Sequence, residues 1–278
     1  IFGLVQSIKK FYFLGFMNLL SQMLKIFFFL FYTYIGIKNF RLIEIFIFSS
    51  FLIIFFSLIG LKGKFQMNTN FFFKLTNFFF EFQNFLKIFL TNLSFGLLIN
   101  FDILLVNYMF DSKTSSNYII ASLISKIGLF LSGGAISVMY PLVSGNIQNR
   151  KKLNYFKQSF IFCLLTIFSI IFFFYLFGDI FILFFFGQKF DFVSVFLIKL
   201  IIAQSPLVLI HLAENYLVAR SKFFYTWLII ITLPILAFVI YFNLNNSINN
   251  FINILLFYSF SMFIIGYIYI FVAKSEKD

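Results

Sequence analysis

Asp102 and Lys126 each sit inside an apolar run long enough to cross a bilayer, and a short polar turn, DSKTSS, joins the two runs. A charged side chain at the centre of a lipid-embedded helix costs about 2.5–3.5 kcal/mol on insertion scales, so such groups face a bundle interior or a water-filled path. At 1.5 Å per residue, both lie roughly 10–12 Å from the turn that joins their helices. An antiparallel hairpin is therefore expected to bring them together. A lysine so placed offers an anion a compact, strongly hydrated point charge. The aspartate beside it would serve as counter-ion or as a proton-coupled switch. The alternative is a structural ion pair in which two buried charges neutralise each other.

Other residues invite the same question. Lys25 falls near the middle of the first apolar run with no acid close to it in sequence. The interface is too distant for comfortable snorkelling, so it is expected to face a cavity. His211 and Glu214 are one turn apart near a helix end, a spacing open to a proton relay or to ordinary wetting of that end. Lys199, only a few residues inside its run, is expected to snorkel outward. Pro206 and Pro234 fall inside apolar runs and are expected to kink them by removing a backbone hydrogen bond. Ser132, Gly133, Gly134 and Ser137 form a small-residue patch that favours close helix packing. Cys163, amid Phe and Leu, reads as an apolar filler.

The elements that must carry these residues are legible in the composition. The chain has 278 residues, is 62% hydrophobic and only 11% charged, and has a mean hydropathy of +1.01. That composition excludes a soluble globular domain and predicts an all-α, polytopic membrane bundle. The 52 Phe accompany abundant Lys, Asn and Ile, a bias expected from AT-rich codons rather than from an aromatic binding surface. One Cys rules out a disulfide framework within the chain. A single His and a single Cys argue against a zinc or haem site, so neither metal nor cofactor is expected. The chain starts Ile1–Phe2, with no initiator Met and no charged-then-apolar leader. It is expected to be N-terminally truncated, with a missing N-terminal portion of the same protein as a natural partner.

Windows of about 20 apolar residues give about eight transmembrane helices: Phe11–Gly36, Ile43–Leu61, Leu86–Met109, Tyr118–Pro141, Lys157–Phe177, Val195–Leu217, Phe223–Phe242 and Phe251–Ala273. On one side of these runs fall Lys9, Lys10, Lys62, Lys64, Lys74, Arg150, Lys151, Lys152, Arg220, Lys222, Lys274 and Lys277. The other side holds only Lys38, Arg41, Lys113 and Lys189. The richer side is cytoplasmic by the positive-inside rule, which puts both chain ends in the cytoplasm, as an even number of crossings requires. The positive charge behind the net +12 lies in short loops, where it sets orientation in a bilayer, and no nucleic-acid partner is expected. Between residues 62 and 85, Phe71, Leu75, Phe78, Phe79, Phe82 and Phe85 recur every three or four positions. Thr76, Asn77, Glu81 and Asn84 fall between them. That pattern fits an amphipathic helix at the cytoplasmic interface or a plain extension of the next span.

One stretch carries a family resemblance. From Asn100 the chain reads Asn100, Asp102, Leu105 and Val106, then a polar turn, then Tyr118, Ala121, Leu131, Gly134, Ala135, Pro141 and Ser144. This pattern resembles polysaccharide-biosynthesis flippases of the multidrug/oligosaccharidyl-lipid/polysaccharide exporter superfamily. The opening segment, with Gln6 and Phe11, is similar to the family segment that follows its fourth helix. The resemblance implies two lobes of helices around a central cavity and alternating access that carries a lipid-linked anionic glycan between leaflets. On that mapping, residues 1–61 are the last two helices of the first lobe and residues 62–85 an amphipathic cytoplasmic linker. Residues 86–278 form a second lobe of six transmembrane helices. The four preceding helices, roughly 120 residues at bilayer-spanning length, would lie upstream. The resemblance further implies that Lys25 and Lys126 hold the acidic group of the substrate in the transport cavity. Asp102, His211 and Glu214 would be candidates for ion or proton coupling.

The resulting expectation is a flippase in the cell inner (cytoplasmic) membrane. Its neighbours are a drug or lipid II exporter of the same superfamily and a non-transporting membrane subunit or remnant. A membrane enzyme would need clustered acids, His or Arg, or a sizeable soluble loop. The chain has nine acids in all and no such loop, so no enzyme activity and no catalytic residues are expected.

Overall fold

The computed structural model describes residues 75–145, 148–190, 192–243 and 247–275. The two first apolar windows, Lys25 and most of the linker lie outside these residues. Among the described residues seven α-helices follow one another: α1 (Leu75–Met109), α2 (Ser112–Ser125), α3 (Ile127–Ser144), α4 (Asn149–Phe186), α5 (Phe192–Ala219), α6 (Phe224–Asn243) and α7 (Ile248–Ser275). A single 3₁₀ turn, Gln188–Phe190, precedes α5, and no strand occurs among the described residues.

Among the described residues, six stretches are long and apolar enough to cross a membrane: Phe85–Met109, Ser112–Ser144, Asn149–Phe186, Val193–Ala219, Phe224–Phe242 and Ile248–Val272. They coincide with the last six windows read from the sequence, with ends shifted by up to nine residues. The residues from Leu75 onward belong to α1 itself, so this part of the linker extends the next span. Ser112–Ser144 is one span made of two helices, α2 and α3, that meet at Lys126.

Local chemistry sets the boundaries. The polar turn is mostly the first turn of α2, because the Asp111 carboxylate accepts the N–H groups of Lys113 at 3.1 Å and Thr114 at 3.2 Å. This is the N-cap arrangement that satisfies otherwise orphan donors. Hydrogen bonding, led by the Thr114 side chain and then by these N–H groups, holds its carboxyl below the usual aspartate range. Helix α4 ends at Gly187, whose φ of 79° lies in the left-handed region that glycine adopts without strain. Pro206 and Pro234 sit inside α5 and α6, and both helices continue through them.

Helix α5 is the centre of the bundle. Two thirds of its spanning window (67%) is buried, against 17% for α4. It packs on α2, α3, α4 and α7. The outward faces are apolar: Phe130, Phe168, Phe184 and Phe238 are all more than 60% exposed. A continuous surface of that kind is far larger than the apolar patches water-soluble proteins tolerate, and it suits lipid.

Close packing occurs away from the predicted patch. A Cβ on Gly133 or Gly134 would meet nothing within 4 Å, whereas one on Gly128 would touch Ile170 at 3.3 Å. One on Gly266 would run into the Tyr225 ring at 2.6 Å. Of the small-residue patch only Ser132 is fully buried. Among the described residues nothing approaches its two glycines closely.

Candidate functional site

Two apolar cores form along the bundle. One contains Phe95, Leu98, Leu129, Leu207, Leu233 and Met262. The other contains Val106, Ile124, Ala203, Leu236 and Leu255. On α1, at the α2–α3 junction, on α5 and on α7 a polar residue stands between them: Asp102, Lys126, Gln204 and Ser259. These residues form a polar layer between the two apolar cores, and all four are 4% exposed or less.

Asp102 is its hub. Oδ1 accepts the Lys126 ammonium at 2.9 Å. Oδ2 accepts the Tyr118 hydroxyl at 3.0 Å, the Ser122 hydroxyl at 2.7 Å and the Gln204 amide at 2.7 Å. Ser125 donates to the Gln204 carbonyl, which fixes the orientation of that amide. The carboxylate thus receives four donors drawn from α2, α5 and the α2–α3 junction. Charge-assisted bonds of this kind are shorter and stronger than neutral ones. Satisfying both oxygens is what makes a buried carboxylate tolerable.

Lys126 is less completely bound. Its ammonium has three hydrogens, and Asp102 is its one hydrogen-bond partner among the described residues. It also stands at a helix break: its φ and ψ are −83° and −2°, and it is both the last cap of α2 and the first of α3. Beside Asp102 lies a small cavity of about 20 Å³, lined also by Gln204, Tyr258 and Ser259. That is room for one water.

Glu214 occupies a second polar pocket, on α5. It is fully buried. Its Oε1 accepts the hydroxyls of Ser94 at 2.8 Å and Thr226 at 3.1 Å, while Oε2 has no partner among the described residues. The Thr91 hydroxyl lies 3.4 Å from that of Thr226. Wetting of a helix end therefore does not account for Glu214, because α1 and α6 cover it. His211 does not bond to it. The imidazole lies flat on Phe95, with ring centroids 3.8 Å apart, and its Nδ1 has no partner among the described residues.

The remaining sequence candidates fall as follows. Lys199 is exposed, and Cys163 is buried in the first core. Sequence reasoning missed Tyr118, Ser122, Ser125 and Gln204 as partners of the charged pair. A signal existed: Tyr118, Ser122 and Ser125 recur at helical spacing on the turn leading to Lys126. No three of His, Cys, Asp and Glu converge as metal ligands among the described residues.

Fold and site together define, among the described residues, a helical bundle with six membrane-length spans and an internal ionic layer. No family model matches the chain, and no curated protein or solved structure is significantly similar to it.

Proposed function

We propose that the chain is part of a transporter that flips a lipid-linked oligosaccharide, a polysaccharide precursor, across the cytoplasmic membrane by alternating access. Both of its ends face the cytoplasm. The observation that carries the reading is Lys126, a buried cation at a break between two half-helices. Broken helices with polar groups at their junction are a recurrent way to build a substrate or ion site within a bilayer. In this reading the unused hydrogens of Lys126 attract the diphosphate of the carrier lipid, with Lys25 as a second cation. Asp102 holds Lys126 in place between substrates. Glu214, with one carboxyl oxygen unpartnered among the described residues, is the candidate for exchanging a proton, and His211 stands one turn away.

A second reading rests on a different feature of the same cluster. Asp102 is saturated by four donors, as befits a static pair in a non-transporting membrane subunit. Reconstituting the complete protein with a fluorescent lipid-diphosphate sugar separates the two. Leaflet transfer is measured with and without an ion gradient. Transfer that Lys126→Ala abolishes at normal expression supports the flippase, and transfer retained in that variant removes Lys126 from the mechanism.

A further inference from the structure

Helix α4 has 38 residues, about 57 Å at 1.5 Å per residue, nearly twice the roughly 30 Å hydrocarbon core. Its N-terminal turns therefore lie beyond the apolar layer. There, a cleft of about 460 Å³ opens between α4, α5 and α7. Arg150, Asn154 and Lys157 line it from α4, Tyr216 and Arg220 from α5, and Ile270 from α7. Among the described residues no carboxylate lines it and none of its three cations has an ion-pair partner.

The cleft is built rather than incidental. Arg150, Asn154 and Lys157 fall at i, i+4 and i+7, one face of the helix. Arg220 donates to the Tyr216 hydroxyl at 3.5 Å and lies 5.8 Å from that ring. Tyr216 is itself buried and packed on Phe156, with centroids 4.5 Å apart. The cap residue Gln148 makes no side-chain hydrogen bond to the first turn of α4. Arginine forks suit phosphate oxygens, and helix N-termini favour anions.

The stripe on α4 does not stop at Lys157. Continuing by steps of four, four and three, it reaches Ile161, Leu165 and Phe168, all more than half exposed. One helix face thus carries cations at its end and bare hydrocarbon further in, the order of a phospholipid. We infer that this cleft binds the phosphate head group of an anionic phospholipid, whose chains lie along the Ile161–Phe168 stripe. The inference goes beyond the flippase reading and holds whether or not a glycan is carried.

Native mass spectrometry of the full chain in detergent, with phosphatidylglycerol and phosphatidylcholine offered together, tests it. The expected result is selective retention of phosphatidylglycerol. Three charges at the surface are worth on the order of a hundredfold in affinity, so Arg150→Gln/Lys157→Gln/Arg220→Gln should lose the bound lipid. Lys151→Gln/Lys152→Gln, off the cleft, should keep it. Absence of lipid selectivity in the unmodified chain overturns the site, as does equal loss in both variants. Tight binding of inorganic pyrophosphate that displaces the lipid would assign the cleft to a free anion and overturn it as well.

Discussion

Asp102 and Lys126 show why a buried pair must be judged by deleting both members as well as each one. Removing one partner of a buried ion pair strands the other charge and typically costs about 3–5 kcal/mol, whereas a neutral pair of similar volume is often harmless. Asp102→Asn and Lys126→Met are therefore each expected to lower the thermal midpoint in detergent. The double variant should recover most of that loss, because the introduced amide carbonyl would still accept from Ser122 and Tyr118. If transport depends on Lys126, the rescued double variant stays inactive, and leaflet transfer measured beside unfolding separates the structural role from the functional one. The pair itself was legible: two lone charges in adjacent apolar runs, at matched depth, belong together in an antiparallel hairpin. The full coordination of Asp102 was not, because Gln204 lies 102 residues away and a glutamine in an apolar run carries no mark of its partner.

Among the elements, α6 and α7 meet most tightly at Gly266, against a Tyr225 ring whose hydroxyl is tied to the Met262 carbonyl at 2.7 Å. Gly266→Ala would place a methyl 2.6 Å from that ring. Overpacking of this kind costs about 1–3 kcal/mol, so the variant should unfold at lower temperature, whereas Gly134→Ala should not. Helix α2 is expected to respond to pH through its cap. The folded state holds the Asp111 carboxyl below its ordinary range. A lowered folded pKa means a contribution present above the unfolded carboxyl pKa and lost as pH falls through the folded value. Asp111→Ala should flatten that acid limb of the stability profile, and hydrogen exchange at Lys113 and Thr114 would report it. Helix positions were readable because six long apolar windows leave little choice. Their ends were less so, since Asp111 and Ser112 look like turn residues, whereas Asp111 caps α2 and Ser112 opens it. The small-residue patch misled for a related reason. Composition permits close approach at Gly133 and Gly134, but no described neighbour lies within 4 Å of a Cβ there.

For the whole molecule, the alternation of basic ends makes a simple spatial prediction. Ser116→Cys, beside the α1–α2 turn, should react with a membrane-impermeant maleimide added outside intact cells. Lys152→Cys should react only after permeabilisation. Native Cys163, fully buried, should stay silent in both, and labelling of both engineered sites from one side would refute the topology. The sequence spacing of the ionic layer also bears on biogenesis. Asp102 and Lys126 are 24 residues apart, so both emerge from the ribosome almost together, well before Gln204. An acid entering lipid alone would carry the full insertion penalty of an unpaired charge. A hairpin that brings its own neutralising cation can partition sideways as one unit, leaving α5 to thread in later and complete the coordination.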